Sequence, residues 1–496
     1  MTFRRVLIAN RGEIAIRIAR ACREAGIESV AVYSEADRDA PHVRAADRAV
    51  HVGPAPSAQS YLSIPAIVEA ARSTSCDAVH PGYGFLSENA AFARACEANG
   101  LVFIGPPADV ISRMGSKIAA RGLMSTAGVP VVPGDTPSDQ SDAGILAAAE
   151  RLGFPVLVKA SAGGGGKGMR AVPQRDSALE LIAAARREAA SAFNDGTLYV
   201  ERLIQQPRHI EVQIFGDVHG NVVHLFEREC SIQRRHQKIV EESPSPALTP
   251  AVRAAVTGAA VAAARAAGYV NAGTIEFLLE GDGDSARFYF LEMNTRLQVE
   301  HPVTEAVAGV DLVQAQFIVA SGGRLPWAQA SLTQRGHAIE CRIYAEDPAA
   351  GFLPQAGKLL VYREPAGPGL RIDSGVVEGG TIPVHYDPLL AKLTASAETR
   401  EAAVARAHAA LHAYPILGIR SNVPFLIRVL EHPEFRAGRL HTRFIDDHAT
   451  ELQVNAAPPL EAVAAAAVAS GESPEPHGPA RSSSVDPWET IRGWGR

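Results

Sequence analysis

Residues 288–301 read FYFLEMNTRLQVEH, and this segment decides the fold and chemistry that we expect of the chain. It begins with aromatic residues at no helical spacing, which is typical of a buried strand. Four polar side chains then follow where a buried strand should have none: Glu292, Asn294, Arg296 and Glu300. Because burying an isolated carboxylate costs several kcal/mol, such groups are normally paired or bound to a metal ion. A solvated salt bridge at a strand end is the alternative, but the preceding apolar run favours burial on both faces.

The same segment forms the second half of a predicted hairpin. Residues 273–280 make the first strand, residues 281–284 (GDGD) start the loop, and residues 287–294 return. If Glu276 lies opposite Glu292, both carboxylates share one face of the hairpin. Directly opposed Cβ atoms lie about 4.5–5.5 Å apart, so the two carboxylates would repel each other unless a cation lay between them. Together with Asn294 they offer oxygen ligands that suit Mg²⁺ or Mn²⁺ bound with nucleotide phosphates.

The composition places the chain among ordinary globular proteins. It has 496 residues, of which 47% are hydrophobic and 21% are charged, and its net charge is -6. The length suggests about three domains. The acidic balance argues against a nucleic acid or an anionic membrane as partner. Five cysteines without C-x-x-C spacing, and no signal-like or membrane-spanning apolar run, predict a cytoplasmic protein with reduced thiols.

The N-terminal pattern predicts a parallel α/β sheet. A strand at residues 6–9, a helix at 13–25 and a strand at 29–33 form a βαβ unit. The unit is Rossmann-like, but it lacks G-x-G-x-x-G, so a dinucleotide site is not supported. A helix over residues 109–127 has Lys117 near its middle, and prolines then break the chain. From residue 334 short strands and two helices predict a separate α+β lobe, and residues beyond about 452 predict a flexible tail.

A glycine-rich hairpin lies at residues 154–172, FPVLVKASAGGGGKGMRAV. Successive N–H groups in such a turn can form a nest for phosphate oxygens. A P-loop is excluded because Lys167 is followed by Gly168 and a strand. A mobile lid laid over phosphates is favoured over a plain flexible loop. Lys159, inside the first strand, would be costly without an anionic partner.

Other candidate groups leave their alternatives open. The run at residues 230–238, CSIQRRHQK, is basic but flanked by glutamates and lacks interleaved aromatic residues, which favours a polyanionic small molecule over nucleic acid. Tyr83 follows a parallel strand, where it either meets a ligand or merely packs. His209 is a strand histidine, more often structural than functional, and Arg342 is either a ligand group or half of a structural pair. Lysines, a glycine lid and a carboxylate pair together indicate phosphoryl transfer from ATP.

These segments closely resemble the biotin carboxylases, ATP-grasp enzymes found as subunits or domains of biotin-dependent carboxylases. The resemblance extends from residue 3 to about 448, and it rests on the glycine-rich hairpin and four motifs: IANRGEIAIR from Ile8, HPGYGFLSEN from His80, RRHQK from Arg234 and EMNTRLQVEHPVTE from Glu292. It implies an ATP-grasp fold of class α/β and α+β, with a Rossmann-like N-terminal domain and an α+β C-terminal domain. The implied parts are residues 1–115, 116–330 with a lid at about 132–204, 331–450, and a tail at 451–496.

The resemblance also implies roles for individual residues. Two Mg²⁺ or Mn²⁺ ions would be held by Glu276, Glu292 and Asn294. Glu300 would be the general base on bicarbonate, Lys238 and Arg296 would hold bicarbonate, and Arg342 would stabilise the biotin enolate. The bicarbonate and biotin pocket would comprise Tyr83, Lys238, Arg296, Gln298, Val299, Glu300 and Arg342. The ATP site would comprise Lys117, Lys159, Gly164, Gly165, Gly166, Glu201, Arg202, Leu203, Ile204, His209, Gln233, His236, Glu276 and Glu292.

The implied reaction forms carboxyphosphate, which releases CO₂ and phosphate in the closed site; that phosphate then deprotonates biotin N1′. The chain has no AMKM biotinylation motif, so biotin is expected on a separate carrier protein, and a carboxyltransferase subunit and a homodimer are expected as well.

The acyl-CoA would be of the acetyl type, as in fatty acid biosynthesis, or of the propionyl type. Tyr344, where many bacterial subunits carry Asn, slightly favours the propionyl or methylcrotonyl branch. Ala162 replaces a lid glycine, and the tail segment at Asp486 is a predicted docking site. The alternatives are a carboxylate–amine ligase, a carbamoyl-phosphate-synthesising domain and a non-catalytic nucleotide sensor.

Overall fold

The N-terminal region is a five-stranded parallel sheet in the order β3-β2-β1-β4-β5. The computed structural model describes residues 3–161 and 168–454 of the chain. The central strand β1 is apolar and buried on both faces, as a parallel sheet covered by helices requires. The predicted βαβ unit is confirmed. The elements are β1 (Arg5–Ile8), α1 (Gly12–Glu24), β2 (Glu28–Ser34), α2 (Pro41–Ala45), β3 (Arg48–Gly53), α3 (Ile64–Ser73), β4 (Ala78–His80), α4 (Ala90–Ala98), β5 (Val102–Phe103) and α5 (Ala108–Gly115).

The single helix predicted over residues 109–127 is wrong, because the chain forms two helices there. α5 ends at Gly115, and α6 (Lys117–Thr126) begins after Ser116, which has an extended backbone. The Ser116 side chain accepts a hydrogen bond from the Ala119 N–H, so it caps α6 as serine commonly does. Lys117 therefore lies at the first position of a helix, and its N–H donates to the Ser161 carbonyl at 3.1 Å. The break brings Lys117 next to the strand that precedes the glycine-rich loop.

A small antiparallel sheet, in the order β6-β9-β7-β8, carries the glycine-rich hairpin. β7 and β8 pair with Lys159 opposite Met169, which confirms the two strands predicted around the loop. The loop residues Ala162, Gly164, Gly165, Gly166 and Lys167 lie outside the described residues, so the predicted lid stays a prediction. The elements are β6 (Gly134–Asp135), α7 (Asp142–Leu152), β7 (Val156–Ala160), β8 (Met169–Val172), α8 (Ala178–Phe193) and β9 (Leu198–Arg202).

The largest element of the described fold is an eight-stranded antiparallel sheet in the order β14-β13-β10-β11-β12-β15-β22-β20. Its first strands lie on α9 and carry the predicted carboxylate hairpin. The elements from residue 208 to residue 344 are β10 (Arg208–Gly216), β11 (Val222–Arg234), β12 (Gln237–Ser243), α9 (Pro250–Ala267), β13 (Asn271–Glu280), β14 (Arg287–Asn294), α10 (His301–Ala308), α11 (Leu312–Ala320) and β15 (His337–Tyr344).

The C-terminal residues, predicted as a separate lobe, continue this sheet instead. β12 pairs with β15, with Glu241 opposite Glu340, so one sheet runs through the boundary. The described residues up to Val454 accordingly form one compact unit, and the predicted domain limits stay predictions. The remaining elements are β16 (Glu346–Asp347), β17 (Leu353–Pro354), β18 (Gly357–Lys358), β19 (Val361–Tyr362), β20 (Leu370–Ser374), β21 (Thr381–Ile382), β22 (Leu389–Ala397), α12 (Arg400–His412), β23 (Ile416–Leu417), α13 (Val423–Glu431), α14 (Pro433–Arg436) and α15 (Phe444–Asp447).

The two faces of the C-terminal part of the sheet differ in character. One face packs on α12 and α13 through residues such as Ile339, Cys341 and Leu393, which belong to an apolar core. The opposite face carries charged side chains and faces the rest of the protein. Because side chains alternate along a strand, Arg342 and Glu340 both lie on this charged face. The predicted tail docking site falls within residues 455–496, outside the described residues.

One detail differs from the sequence-based expectations. β14 is an edge strand, so Leu291 and Glu292 are half-buried and the expected burial on both faces is wrong. Its outer edge is partly covered, since the Phe290 N–H donates to the Pro130 carbonyl at 2.7 Å. Among the described helices no single one is long and apolar enough to span a membrane; α10 and α11 meet that criterion only as a pair bent by 96°.

Candidate active site

The predicted opposition of two glutamates is present in the β13–β14 hairpin. Glu276 lies directly opposite Glu292, and Asn294 lies opposite Thr274 on the same face. Asn294 Nδ2 donates to Glu276 Oε1 at 2.8 Å, so the amide already contacts one of the predicted metal ligands. Burial and the neighbouring Glu276 carboxylate raise the pKa of Glu292. A carboxylate in this setting is stabilised by a cation, which is what the predicted metal site would supply.

Lys238 connects this hairpin to the predicted catalytic base. Its Nζ lies 2.8 Å from Glu276 Oε1 and 2.7 Å from Glu300 Oε1, and it also contacts Glu211. Burial opposes the charge of the ammonium group, but the three carboxylates raise the pKa of Lys238 well above its ordinary value. Lys238 is therefore a cation at neutral pH. Its position follows from a tight turn between β11 and β12, in which Arg235 and His236 both have positive φ.

Glu300 is fully buried and is paired with two cations. Arg342 Nη2 lies 3.0 Å from Glu300 Oε2, on the side opposite the Lys238 contact. Burial alone would raise the pKa of Glu300, but Lys238 and then Arg342 hold that pKa well below its usual range. Arg342 also binds Glu241. Arg342 is thus part of a buried ion-pair network at the predicted site, and its role as a ligand group stays a prediction.

Arg296 contacts the predicted pocket and a residue of the N-terminal region. Its Nε donates to Glu88 Oε2 and its Nη1 donates to Gln298 Oε1, both at 3.0 Å. Its Nη2 donates to Asn294 Oδ1 at 3.3 Å. Gln298 is buried, and its Nε2 finds no acceptor among residues 3–161 and 168–454. An unpaired buried donor beside an arginine is a suitable contact for a small anion.

A second cationic group lies at the predicted nucleotide end. Lys159 is buried, and its Nζ lies 3.0 Å from Glu201 Oε2, so Glu201 is the anionic partner that the sequence required. The Glu201 carboxylate also binds Arg121 at 2.7 Å. Burial and the charge of Lys159 lower the pKa of Lys117. Two neighbouring lysines that repel each other make a favourable site for phosphate groups.

The remaining predicted ATP contacts are spread around this end. His209 is buried with its Nε2 3.1 Å from Glu276 Oε2. Arg202 is held in a structural pair with Glu280, at 2.8 Å, and Leu203 and Ile204 follow it in the chain. Three further residues complete the list: Gln233 is buried opposite Lys238, His236 is exposed in the turn, and the Tyr83 ring lies 5.8 Å from Lys392 Nζ.

Sequence reasoning did not single out several members of the network. Arg228 is fully buried and binds Glu211, Gln213 Oε1 at 2.9 Å and Thr304 Oγ1 at 2.8 Å. The signal for it was available, because an arginine inside an apolar strand needs buried partners just as Lys159 does. Glu241 is only one of the glutamates that flank the basic run, Glu88 is only a letter of the motif HPGYGFLSEN, and Glu211 is not singled out. Their partners are distant in sequence, so no local pattern identifies them.

Comparison with known proteins agrees with this geometry. Three family models match in order: the N-terminal domain of biotin carboxylase at residues 2–111, the ATP-binding domain of the carbamoyl-phosphate synthase L chain at 116–328, and the C-terminal domain of biotin carboxylase at 340–447. The biotin carboxylase of Halalkalibacterium halodurans is 51% identical over 446 residues, which are 90% of this chain and 98% of the relative. The chain belongs to the biotin carboxylase family. The predicted enzyme class, an ATP-dependent carboxylase, is therefore confirmed.

Two further members of the family extend the comparison. The mitochondrial methylcrotonoyl-CoA carboxylase subunit alpha of Mus musculus is 51% identical over 449 residues. The match covers 90% of this chain but only 62% of that subunit, so the chain spans about three fifths of its length. The biotin carboxylase domain dimer of Hydrogenobacter thermophilus 2-oxoglutarate carboxylase, in complex with MgADP, ADP and bicarbonate, superposes with a TM-score of 0.88 at 44% identity, covering 92% of this chain and 100% of that one. The predicted ATP-grasp fold is thereby confirmed.

Proposed function

We propose that the chain carboxylates biotin with bicarbonate at the expense of ATP, which is converted to ADP and phosphate. The observation that carries this proposal is the position of Lys238. One ammonium group bridges Glu276, at the predicted metal end, and Glu300, the predicted base, at distances of 2.8 and 2.7 Å. Nucleotide and bicarbonate would therefore meet around a single cation. The Hydrogenobacter thermophilus relative, which contains MgADP and bicarbonate, supports both substrates.

The residues of the β13–β14 hairpin fit a divalent metal. Glu276, Glu292 and Asn294 share one face and offer oxygen atoms, the ligand type that Mg²⁺ and Mn²⁺ prefer. The raised pKa of Glu292 indicates a carboxylate that lacks a sufficient positive partner. When bound with the nucleotide, two such ions would neutralise phosphate oxygens and so favour phosphoryl transfer.

The chain's own cations would complete that neutralisation. Lys159 and Lys117 lie at the nucleotide end, and both would contact ATP phosphates. Because the two positive charges repel each other in the structure, binding a polyanion relieves this repulsion. Preorganised charges of this kind stabilise the transferring phosphoryl group at no reorganisation cost.

The chemistry begins at Glu300. It would accept the bicarbonate proton while a bicarbonate oxygen forms a bond to the γ-phosphorus and the bond to ADP breaks. The products of this step are ADP and carboxyphosphate, which breaks down to CO₂ and phosphate. That phosphate would take the N1′ proton of biotin, and the nitrogen would then attack CO₂. Arg342, held 3.0 Å from Glu300, would stabilise the negative charge that develops on the biotin ureido oxygen.

The depressed pKa of Glu300 is compatible with a base role. In the described structure Lys238 and Arg342 both neutralise its charge. When bicarbonate and phosphate groups pair with Lys238 and Arg342, these cations stabilise the charge of Glu300 less. The pKa of Glu300 then rises, and the carboxylate becomes a stronger base. The same two cations would thus set both the substrate position and the strength of the base.

We further propose that biotin is presented on a separate carrier protein and that a carboxyltransferase subunit uses the product. The acyl-CoA would be of the acetyl, propionyl or methylcrotonyl type; the sequence-based expectation supports this range, and the Mus musculus relative supports the methylcrotonyl type. A homodimer is supported by the dimeric Hydrogenobacter thermophilus domain, and the site of action would be the cytoplasm. Co-purification and analytical ultracentrifugation test these partners directly.

A second candidate is a carbamoyl-phosphate-synthesising or carboxylate–amine ligase. The matched ATP-binding model, which carries the carbamoyl-phosphate synthase name, favours it for residues 116–328. The flanking models and the buried pair of Arg342 with Glu300 favour the biotin reaction.

One assay separates the two candidates. The chain should hydrolyse ATP only with bicarbonate, and free biotin should raise that rate. Glu300→Gln should lower the rate about 10²- to 10⁴-fold, the usual contribution of a general base. If ammonia raises the rate while biotin does not, the primary proposal is wrong.

A further inference from the structure

Lys392 is a buried lysine that the proposed chemistry does not use. It lies on β22, and its side chain is fully shielded from solvent. A buried ammonium group is costly unless it is paired, and here Glu13 Oε1 lies 3.3 Å from Lys392 Nζ. Glu13 belongs to α1, so this ion pair joins a helix of the N-terminal region to the C-terminal part of the large sheet.

A second contact of Lys392 reaches the predicted site. Lys392 Nζ donates a hydrogen bond of 2.8 Å to the carbonyl oxygen of Val299. Val299 immediately precedes Glu300, so this carbonyl belongs to the peptide group that joins the two residues. A valine offers a polar substrate only its backbone, and the orientation of that backbone therefore matters at this position.

The sheet register strengthens the argument. Arg342 on β15 lies directly opposite Lys392 on β22, with both side chains on the charged face. Like charges in this position normally destabilise a sheet, because directly opposed Cβ atoms are about 4.5–5.5 Å apart. Here the two cations hold the same dipeptide from two sides. Arg342 binds the Glu300 carboxylate, and Lys392 binds the Val299 carbonyl.

The other neighbours of Lys392 fix its position. Asp373 on β20 lies directly opposite it on the other side. The N-terminus of α1 packs closely against the same sheet, since a Cβ placed on Gly375 would lie 2.7 Å from the Glu13 nitrogen. The Glu13 backbone is thus held close to the sheet. Both Glu13 and Lys392 are buried, so their ion pair is shielded from solvent.

We propose that Lys392 is a positioning residue of the carboxylation site, which holds the peptide between Val299 and Glu300 and thereby aims the Glu300 carboxylate, with Glu13 as its counter-ion. The inference rests on the proposed function. It assigns the N-terminal helix α1 a part in the chemistry, although α1 itself contributes no group to the predicted pocket. A misplacement of about 1 Å at a reacting group can lower a rate about 10²-fold, so a support of this kind is expected to matter kinetically.

The test compares three variants of the full chain. Lys392→Met removes the charge and the hydrogen bond to the Val299 carbonyl. Lys392→Arg keeps the charge and can still donate that hydrogen bond. Arg400→Met is the matched control, because Arg400 is a largely buried cation at the start of α12 that is paired with Glu242 at 2.7 Å. We measure kcat and KM for bicarbonate and for MgATP, with ATP hydrolysis as the signal, and thermal unfolding in parallel.

Lys392→Met should lower kcat/KM for bicarbonate about ten- to hundredfold while the KM for MgATP changes by less than about threefold. Lys392→Arg should recover a large part of the loss. Arg400→Met should lower the unfolding temperature without this kinetic split, that is, without a selective loss in kcat/KM for bicarbonate. If Lys392→Met does not fold, the double variant Lys392→Met with Glu13→Gln removes the unpaired carboxylate and should show the same split.

Two results would overturn the inference. One is a folded variant without Lys392 whose kinetics for bicarbonate match the wild type. The other is an equal loss for bicarbonate and MgATP in Lys392→Met and Arg400→Met alike, which would indicate a merely structural role. A wild-type chain without bicarbonate-dependent ATP hydrolysis would instead contradict the proposed function, so the two failures are distinguishable.

Discussion

Replacing Lys238 by methionine removes the positive charge on which the proposed site depends. The Lys238 side chain is 12% exposed, and its Nζ contacts Glu211, Glu276 and Glu300. Methionine fills a similar volume without a charge, so the change isolates electrostatics from packing. Three buried carboxylates would then lose a shared partner.

The magnitude follows from the loss of one member of a buried network. Removing one partner of a buried ion pair costs about 3–5 kcal/mol, and Arg228 and Arg342 remain to neutralise Glu211 and Glu300 in part. For a cooperative unit of residues 1–454 the unfolding entropy is roughly 1 kcal/mol per kelvin. We therefore expect the unfolding temperature to fall by about 3–5 °C at about pH 8.

The loss should depend on pH in a defined direction. In the wild type, burial raises the pKa of Glu276 and Glu300, but Lys238, together with His209 at Glu276 and Arg342 at Glu300, more than offsets this, and both pKa values are depressed. A carboxylate with a depressed folded pKa stabilises the protein above its unfolded pKa, and this contribution disappears as the pH falls towards the folded pKa. In Lys238→Met these pKa values rise, and the carboxylates take up protons on acidification. The deficit relative to the wild type should shrink between about pH 8 and about pH 5.5.

Thermal unfolding followed by circular dichroism at both pH values measures this effect. The exposed Lys358→Met variant is the control for loss of one lysine charge, and it should unfold within about 1 °C of the wild type. Bicarbonate-dependent ATP hydrolysis should be lost in Lys238→Met and kept in the control. A deficit below about 1 kcal/mol, or one that does not change with pH, would refute the account of Lys238.

Three further predictions concern other residues of the predicted site. Arg342→Ala should abolish biotin carboxylation and lower stability by about 3–5 kcal/mol, because Glu300 is left without one partner; wild-type turnover would disprove its role. Glu292→Gln should raise the Mg²⁺ concentration for half-maximal activity at least about tenfold without lowering the unfolding temperature, since it relieves repulsion with Glu276; an unchanged metal titration would contradict this. Glu201→Gln should raise the KM for MgATP and destabilise the chain, because Lys159 loses its buried partner, and steady-state kinetics with melting curves measure both effects.

The carboxylate hairpin could be predicted from the sequence because its geometry is local. Glu276 and Glu292 are joined by a short loop, which places them on paired strands, and a bulge between Phe290 and Glu292 sets the register in which they face each other. The strands around the glycine-rich loop follow from the same kind of reasoning. The split between α5 and α6 could also have been found, since Ser116 is a typical helix cap.

The cations and carboxylates of the site could not be paired from sequence because their partners are far apart in the chain. Arg296 meets Glu88, and Lys392 meets Glu13, only after the N-terminal sheet packs on the later strands. Sequence patterns report which residues must be neutralised, as Lys159 illustrates. They do not report which of 54 acidic residues does so, because that depends on tertiary packing. The continuity of the large sheet through residue 337 was missed for the same reason.

The most direct test of the central claim follows the oxygen atoms of bicarbonate. If the γ-phosphoryl group of ATP is transferred to a bicarbonate oxygen, ¹⁸O-labelled bicarbonate should donate one labelled oxygen to each phosphate released, as detected by mass spectrometry or ³¹P NMR. Glu300→Gln should lose this transfer while it still binds MgATP. Released phosphate that carries oxygen only from water would contradict the proposed transfer and with it the role assigned to the site around Lys238.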